Sequence, residues 1–299
     1  MALIAVDVPS GLPARVRTPA PDDPRLARLS LNQKTTERWP LRATIEGTAA
    51  AGLRSIGLWR EPVAKAGLQA ARAWVEDAGL RVSSLCRGGF FTTGDPAERA
   101  AAAADNRAAI DEAAVLRAST LVLVPGGLPP DDKDIAGARS RVVDAVAELA
   151  PYALERGVTL AIEPMHPIYA ADRGVVSTLA LALDIAEQFP VDAVGVVLDT
   201  FHLWWEPEIL TQIRRAGQRI FAYQLADWIT PLPADALLAR GMMGDGHVNF
   251  AELTRAVAAA GYRGDVEVEI FNADVWDAPP RHVLATMARR YVELVEGHL

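Results

Sequence analysis

Short apolar runs alternate with longer Ala-rich stretches of helical period along most of the chain. Eight runs read as strands: 29–33, 55–59, 82–85, 120–124, 159–163, 194–199, 220–225 and 266–270. Most are apolar on both faces, as strands covered on both sides must be. Between them, 63–78, 96–116, 135–155 and 250–260 read as helices. Gly52, Gly79, Gly157 and Gly261 stand where a helix should end before a strand, a position that favours the left-handed conformation. Asp95-Pro96 with Glu98, and Asn249 with Glu252, read as helix starts. Eight strand–helix repeats with short links predict an α/β fold, a single-domain (β/α)8 TIM barrel over residues 29–299. Residues 1–28 hold Pro9, Pro13, Pro19, Pro21 and Pro24 and predict an irregular leader, with 3–8 its one strand-like run. An open doubly wound sheet would carry a Gly-rich phosphate loop after an early strand; Gly88-Gly89 and Gly126-Gly127 are isolated pairs suited to turns.

Composition narrows the function classes. The 299 residues are 51% hydrophobic, enough for a large core. A net charge of −8 argues against nucleic acid and against anionic membranes. No apolar run is long enough to span a bilayer, and no basic-then-apolar secretory signal opens the chain. The single cysteine, Cys86, forbids an intrachain disulfide and fits a cytoplasmic location. A homo-oligomer is compatible with this composition.

The chemistry sits at strand ends. Glu163, Asp199, Gln224 and Glu269 each lie at or near the carboxyl end of an apolar run, where barrel enzymes place their sites. Acids there are costly unless they meet a cation or donors. Together the four form an oxygen-only set that favours Mg2+ or Mn2+, with Zn2+ or Co2+ less suited. Asp199 could equally cap the next helix. His202, three residues on, reaches the same site only if the strand stops near Asp199 and the chain turns back; it then suits substrate binding better than metal ligation. Glu267 shares a strand face with Glu269, lies deeper, and is expected to pair with an internal Arg or Lys. Asp227 reads as a supporting acid or a loop acid. Further rim candidates are Asn32, Gln33, Trp59, Arg87, Phe90 and His166, with Trp59 and Phe90 able to stack on a sugar face. Arg240 opens a Gly-rich segment, R-G-M-M-G-D-G-H-V-N-F, that reads as mobile and able to close over a substrate. No Lys/Arg cluster is evident at the rim, which favours an unphosphorylated ligand.

A-I-E-P at Glu163, L-D-T-F-H at Asp199 and His202, and E-V-E-I-F at Glu269 resemble the xylose-isomerase-like barrel superfamily, the sugar phosphate isomerase/epimerase group. The resemblance runs from about Leu29 onward. It implies one bound divalent ion, with Glu163 and Glu269 as ligands that also move protons, Asp199 as a ligand and His202 on the substrate. Where ketose epimerases of the group carry a metal-binding histidine, this chain has Gln224. S-L-C-R-G-G-F-F and R-G-M-M-G-D-G are similar to a subgroup with no fixed substrate. Apurinic-site endonucleases share the barrel, but their many zinc-binding histidines and basic groove do not match five histidines and a net charge of −8.

The expected reaction is isomerisation or epimerisation of a small sugar or cyclitol by proton abstraction next to a carbonyl. Loss of a β-oxygen substituent from the same intermediate would instead make the protein a lyase. That covers inosose dehydration, or cleavage of an oxidised C-glycoside with a partner subunit. Gln224 in place of histidine also keeps open a non-catalytic sugar-binding barrel.

Overall fold

A computed structural model describes residues 17–299. The strand-like run at 3–8 and most of the expected leader lie outside the described residues. Among the described residues ten strands occur in chain order: β1 Leu29–Asn32, β2 Ser55–Trp59, β3 Arg81–Gly89, β4 Thr120–Val124, β5 Thr159–Ile162, β6 Val194–Asp199, β7 Ile220–Leu225, β8 Asp227–Trp228, β9 Arg240–Gly241 and β10 Val266–Val268. Eight of them close into a parallel barrel in the order β1-β10-β7-β6-β5-β4-β3-β2. All eight expected barrel strands are present, and helices separate them. The remaining two, β8 and β9, pair antiparallel in a small ribbon beyond the barrel mouth.

Local sequence accounts for the boundaries. Helices Pro96–Leu116 and Ile135–Glu155 have the expected limits, and Asp95 accepts from the N–H groups of Ala97 and Glu98. Gly52, Gly79, Gly157 and Gly261 all have positive φ, so each helix ends in a turn that a Cβ would strain. The expected helix at 63–78 is two helices, Arg60–Ala66 and Leu68–Asp77, broken at Gly67 with φ +89°.

Strand outer faces and helix inner faces make one continuous apolar core. Inside the barrel a second, small cluster of Cys86, Val122, Ala161, Val197 and Ala222 fills the space. These small side chains leave room above them for polar groups. Register sets the level of those groups. Asp199 lies beside Gln224, and Gln224 beside Glu267, so one lateral row crosses β6, β7 and β10. Glu269 sits two residues higher on the same face. Gly57 faces this row: a Cβ there would fall 2.5 Å from the Glu267 carboxyl group. Glu267 therefore occupies the barrel interior, and β2 needs glycine to admit it. No described helix is long and apolar enough to cross a membrane.

Candidate active site

The carboxyl ends of the strands enclose a cavity of about 220 Å³. Glu163 follows β5 directly, and Pro164 holds it extended. Its N–H donates to Leu123 O, and its carboxylate faces the cavity. Asp199 ends β6 and uses its two oxygens differently. Oδ1 accepts from Phe201 N–H at 2.8 Å, capping the short helix Thr200–Leu203. Oδ2 accepts from Arg240 Nη1 at 2.7 Å. The short helix turns His202 back over the rim, with Nε2 3.6 Å from Glu163 Oε1 and 3.9 Å from Asp199 Oδ2. Glu163, Asp199 and His202 are buried, each with a donor atom within 4.8 Å of the others, a group that could hold a metal ion.

The hydrogen bonds of His202 separate it from the two acids. Its Nδ1 accepts from the backbone N–H of His166 at 3.1 Å. Its Nε2 faces Arg240 Nη2, also a donor, at 3.1 Å, and a neutral ring, with one N–H, accepts from only one of the two. A metal-bound histidine instead donates its second ring N–H to an acceptor. His202 instead has a donor facing each ring nitrogen. Burial, reinforced by the Arg240 guanidinium, keeps its pKa well below the usual value, so the ring stays neutral.

Arg240 does not lie on a loose loop. The β8–β9 ribbon carries it into the site, and it is among the largest fully buried side chains. Its Nη1 meets Asp199 Oδ2, Glu269 O at 3.2 Å and Glu269 Oε2 at 3.3 Å, and Nη2 lies 3.1 Å from His202 Nε2. The guanidinium sits between the Phe201 and Phe271 rings, at 4.7 and 5.3 Å from their centroids. Asp227 clamps the following Gly-rich turn by accepting from the N–H groups of Gly244, Gly246 and Val248 at 2.8–2.9 Å. Mobility expected from glycine content is thus countered by one buried acid with several backbone donors.

Among the described residues Glu267 meets no Arg or Lys, contrary to the expectation from its strand face. It accepts from Asn32 Nδ2 at 2.7 Å, Ser83 Oγ at 2.5 Å, Ser84 Oγ at 2.9 Å and Gln224 Nε2 at 3.1 Å. Four neutral donors from three strands surround it, which is how a buried carboxylate avoids its desolvation cost without a cation. Two links run upward from this cage. Asn32 Oδ1 accepts from Trp59 Nε1 at 2.9 Å and so orients a ring on the cavity wall. The bond to Gln224 fixes its amide, leaving Oε1 buried and without a partner.

Charge at the mouth is unbalanced. Glu163, Asp199 and Glu269 are buried, and among the described residues Arg240 is the one Arg or Lys bonded among them. Burial, with Glu269 and Asp199 nearby, pushes Glu163 well above the ordinary carboxylate range. Burial raises Glu269 to about 8 despite Arg240. It also raises Asp199, against the lowering by Arg240. With all three ionised, as an ion between them would hold them, three carboxylates against one guanidinium leave two negative charges, the amount one divalent ion neutralises. The orphaned Gln224 Oε1 in the adjacent layer is a further oxygen donor. The residues present therefore fit a hard divalent cation.

Trp59 and Arg87 line the cavity with Glu163, Glu269, His202 and Arg240. Gln224 is fully buried in the row below. The His166 ring is not on the cavity wall; it stacks on Trp228 at 4.6 Å. The expectation of a rim without a cationic cluster fails. Lys34, Arg87, Arg173 and Arg240 all reach the cavity, Arg173 from a loop ten residues past Glu163. Ser83 and Ser84 were also missed; two adjacent serines inside an apolar strand are the signal that could have marked an interior carboxylate.

A family profile for the xylose isomerase-like TIM barrel matches residues 45–291. A protein of known structure from Sinorhizobium meliloti 1021 is 45% identical, covers 90% of this chain and 99% of its own, and superposes with a TM-score of 0.88. The 3-dehydroshikimate dehydratase of Pseudomonas putida is 31% identical over 171 residues, which is 54% of this chain and 26% of the dehydratase. This chain thus matches about a quarter of that relative's length. The inosose isomerase of Halalkalibacterium halodurans is 26% identical over 214 residues, 70% of this chain and 73% of the isomerase.

Proposed function

The chain belongs to the xylose isomerase-like TIM-barrel family, and from that premise we propose a metal-dependent isomerase or epimerase of a small sugar or cyclitol. The observation that carries the reading is the excess of buried carboxylates at one barrel mouth, Glu163, Asp199 and Glu269 against Arg240. These three acids would hold the ion, with Gln224 Oε1 as candidate fourth ligand; an oxygen set suits Mn2+ or Mg2+ better than Zn2+. A bound divalent ion supplies Lewis acidity toward a substrate carbonyl.

The chain's own residues supply the rest. Glu163 and Glu269 follow β5 and β10, three places apart around an eight-stranded ring, so they address a ligand from nearly opposite sides. One takes the proton from the carbon next to the carbonyl, and the other returns a proton to the opposite face. Return to the same carbon gives an epimer; return to the neighbouring carbon gives an isomer. The Nε2 edge of His202 meets a substrate oxygen, and the Trp59 ring offers an apolar wall.

A dehydratase is the second reading, favoured by the 31% identical relative. It uses the same proton abstraction, followed by loss of a β-hydroxyl. Incubation of ketoses, inososes and cyclic keto acids in D2O, followed by NMR, separates the two. Deuterium next to the carbonyl in an epimer or isomer supports the first reading, and an alkene with released water supports the second. Epimerisation or isomerisation without any proton wash-in removes the first reading, and turnover that yields no alkene removes the second. Elemental analysis of chelator-free protein tests the ion: a fully active protein with less than one equivalent of metal would remove it from the proposal.

A further inference from the structure

The cavity is acidic at its floor and basic at its mouth. Lys34 at the mouth is already committed: it pairs with Glu37 at 2.9 Å and lies 4.9 Å over the Trp59 ring. Arg87 and Arg173 are not committed in this way. Arg87 stacks on Phe90, 4.0 Å from the ring centroid, and among the described residues its guanidinium has no ion pair or hydrogen bond to the protein. The nearby arginine at β2, Arg60, shows the contrast, because two acids hold it, Asp105 and Glu112 at 2.9 and 2.7 Å. Arg173 has one loose contact, 3.6 Å to its exposed neighbour Asp172, and its Nε is buried without a partner. Its backbone is anchored, since Arg173 O accepts from Gly126 N–H at 2.9 Å and Gly126 bridges Gly174. Partial desolvation against the cavity mouth, together with the Arg173 guanidinium, lowers the Arg87 pKa though the side chain keeps an exposed edge, and both guanidinium groups line one cavity. Two cations held together without an anion are costly unless a ligand supplies one.

We propose that Arg87 and Arg173 form a subsite for an anionic group on the substrate, a carboxylate or a phosphate ester, while the reacting carbonyl end meets Glu163 and Glu269. This deepens, and rests on, the reading of the cavity as the active site. A planar guanidinium pair recognises either group through two-pronged hydrogen bonds. The 220 Å³ cavity lies below the roughly 300–1,000 Å³ of drug-sized pockets, so the ligand is a single small ring or short chain.

Equilibrium binding tests this without turnover. Calorimetry on the protein as purified would compare D-ribulose, D-ribulose 5-phosphate and 3-dehydroshikimate, respectively neutral, a phosphate ester and a carboxylate. One charged probe should bind at least about tenfold tighter than the neutral one, as a charge-assisted bidentate contact provides. Which probe it is identifies the anion. Arg87→Gln and Arg173→Gln should each remove most of that preference, read as the ratio of charged to neutral affinity in the same variant. Arg87 is exposed, so Arg87→Gln carries the test if the other variant does not fold. Equal binding of neutral and charged probes, no binding of either anion at millimolar concentration, or a preference that survives the substitutions would overturn the subsite. Proton exchange in D2O is read separately. Its persistence beside a failed subsite spares the reaction, and its absence beside an intact preference spares the subsite.

Discussion

Glu267 and Glu269 stand two residues apart on one face of one strand, yet they live in opposite surroundings. Glu267 accepts from two amides and two hydroxyls, and nothing else is asked of it. Glu269 has one cation, Arg240, shared with Asp199, and burial holds its pKa at about 8. Both are buried acids, so burial alone does not mark a functional group. The number of donors does. A carboxylate with a full set of neutral donors is finished structure, whereas one short of donors or counter-charge is ready for an ion, a substrate or a proton.

The sharpest way to break that contrast is to neutralise each acid. Glu163→Gln and Glu269→Gln should cut proton exchange by about 10²–10⁴. The thermal midpoint of the metal-free protein should hold or rise, because each change removes a poorly neutralised buried charge. Exchange kinetics by NMR and a melting curve check both halves. Wild-type exchange in either variant would remove that glutamate from the chemistry.

Glu267→Ala should do the reverse. It strips an acceptor from Asn32, Ser83, Ser84 and Gln224 together, and the loss should be on the order of 3 kcal/mol in urea unfolding. A variant as stable as wild type would show that water replaces the cage at no cost. The cage also reaches the rim through Gln224. Gln224→Ala should weaken binding of Mn2+ about 10–100-fold while the fold survives, and Gln224→His should move preference toward Zn2+ or Co2+. Unchanged affinities in both variants would place Gln224 outside the ion's ligands.

Most of the barrel was legible because its rules are local. Apolar runs buried on both faces, glycines at helix ends and Asp95 as a cap each speak within a few residues. That Glu163, Asp199, His202 and Glu269 gather at one barrel mouth was legible because each stands at or just past the end of an apolar strand run, and parallel barrel strands end at one rim. What stayed hidden needed long-range geometry. β8 and β9 are two residues each, too short for any period, so the ribbon that buries Arg240 left no pattern. β3 runs from Arg81 to Gly89, yet Ser83, Ser84 and Gly88 interrupt its apolar run and shorten its signature. Arg173 reaches the mouth from a loop whose course follows from the bridge between Gly126 and Gly174, 48 residues apart in sequence. The partners of Glu267 come from β1, β3 and β7 and could not be read from its own strand.

The smallest expected effect concerns His166, a rim candidate whose ring lies against Trp228 instead of the cavity. Burial lowers its pKa to about 4 from an ordinary value near 6.5, and its Nδ1 accepts from Ile168 N–H at 3.2 Å, a contact that suits the neutral ring. The sign of the pH effect follows. As pH falls below about 6.5 the unfolded chain takes up a proton that the folded protein refuses until about pH 4. The stabilising share of His166 is therefore complete above about 6.5 and declines between 6.5 and 4. The ring is only half-buried, so solvent screening should keep this share below about 1 kcal/mol. Unfolding at pH 7.5 and pH 4.5 measures it: His166→Asn, which keeps an acceptor for Ile168 but does not titrate, should lose less stability over that interval than wild type. Parallel losses in the two proteins would mean that His166 titrates alike folded and unfolded, and that its stacking on Trp228 leaves it accessible to protons.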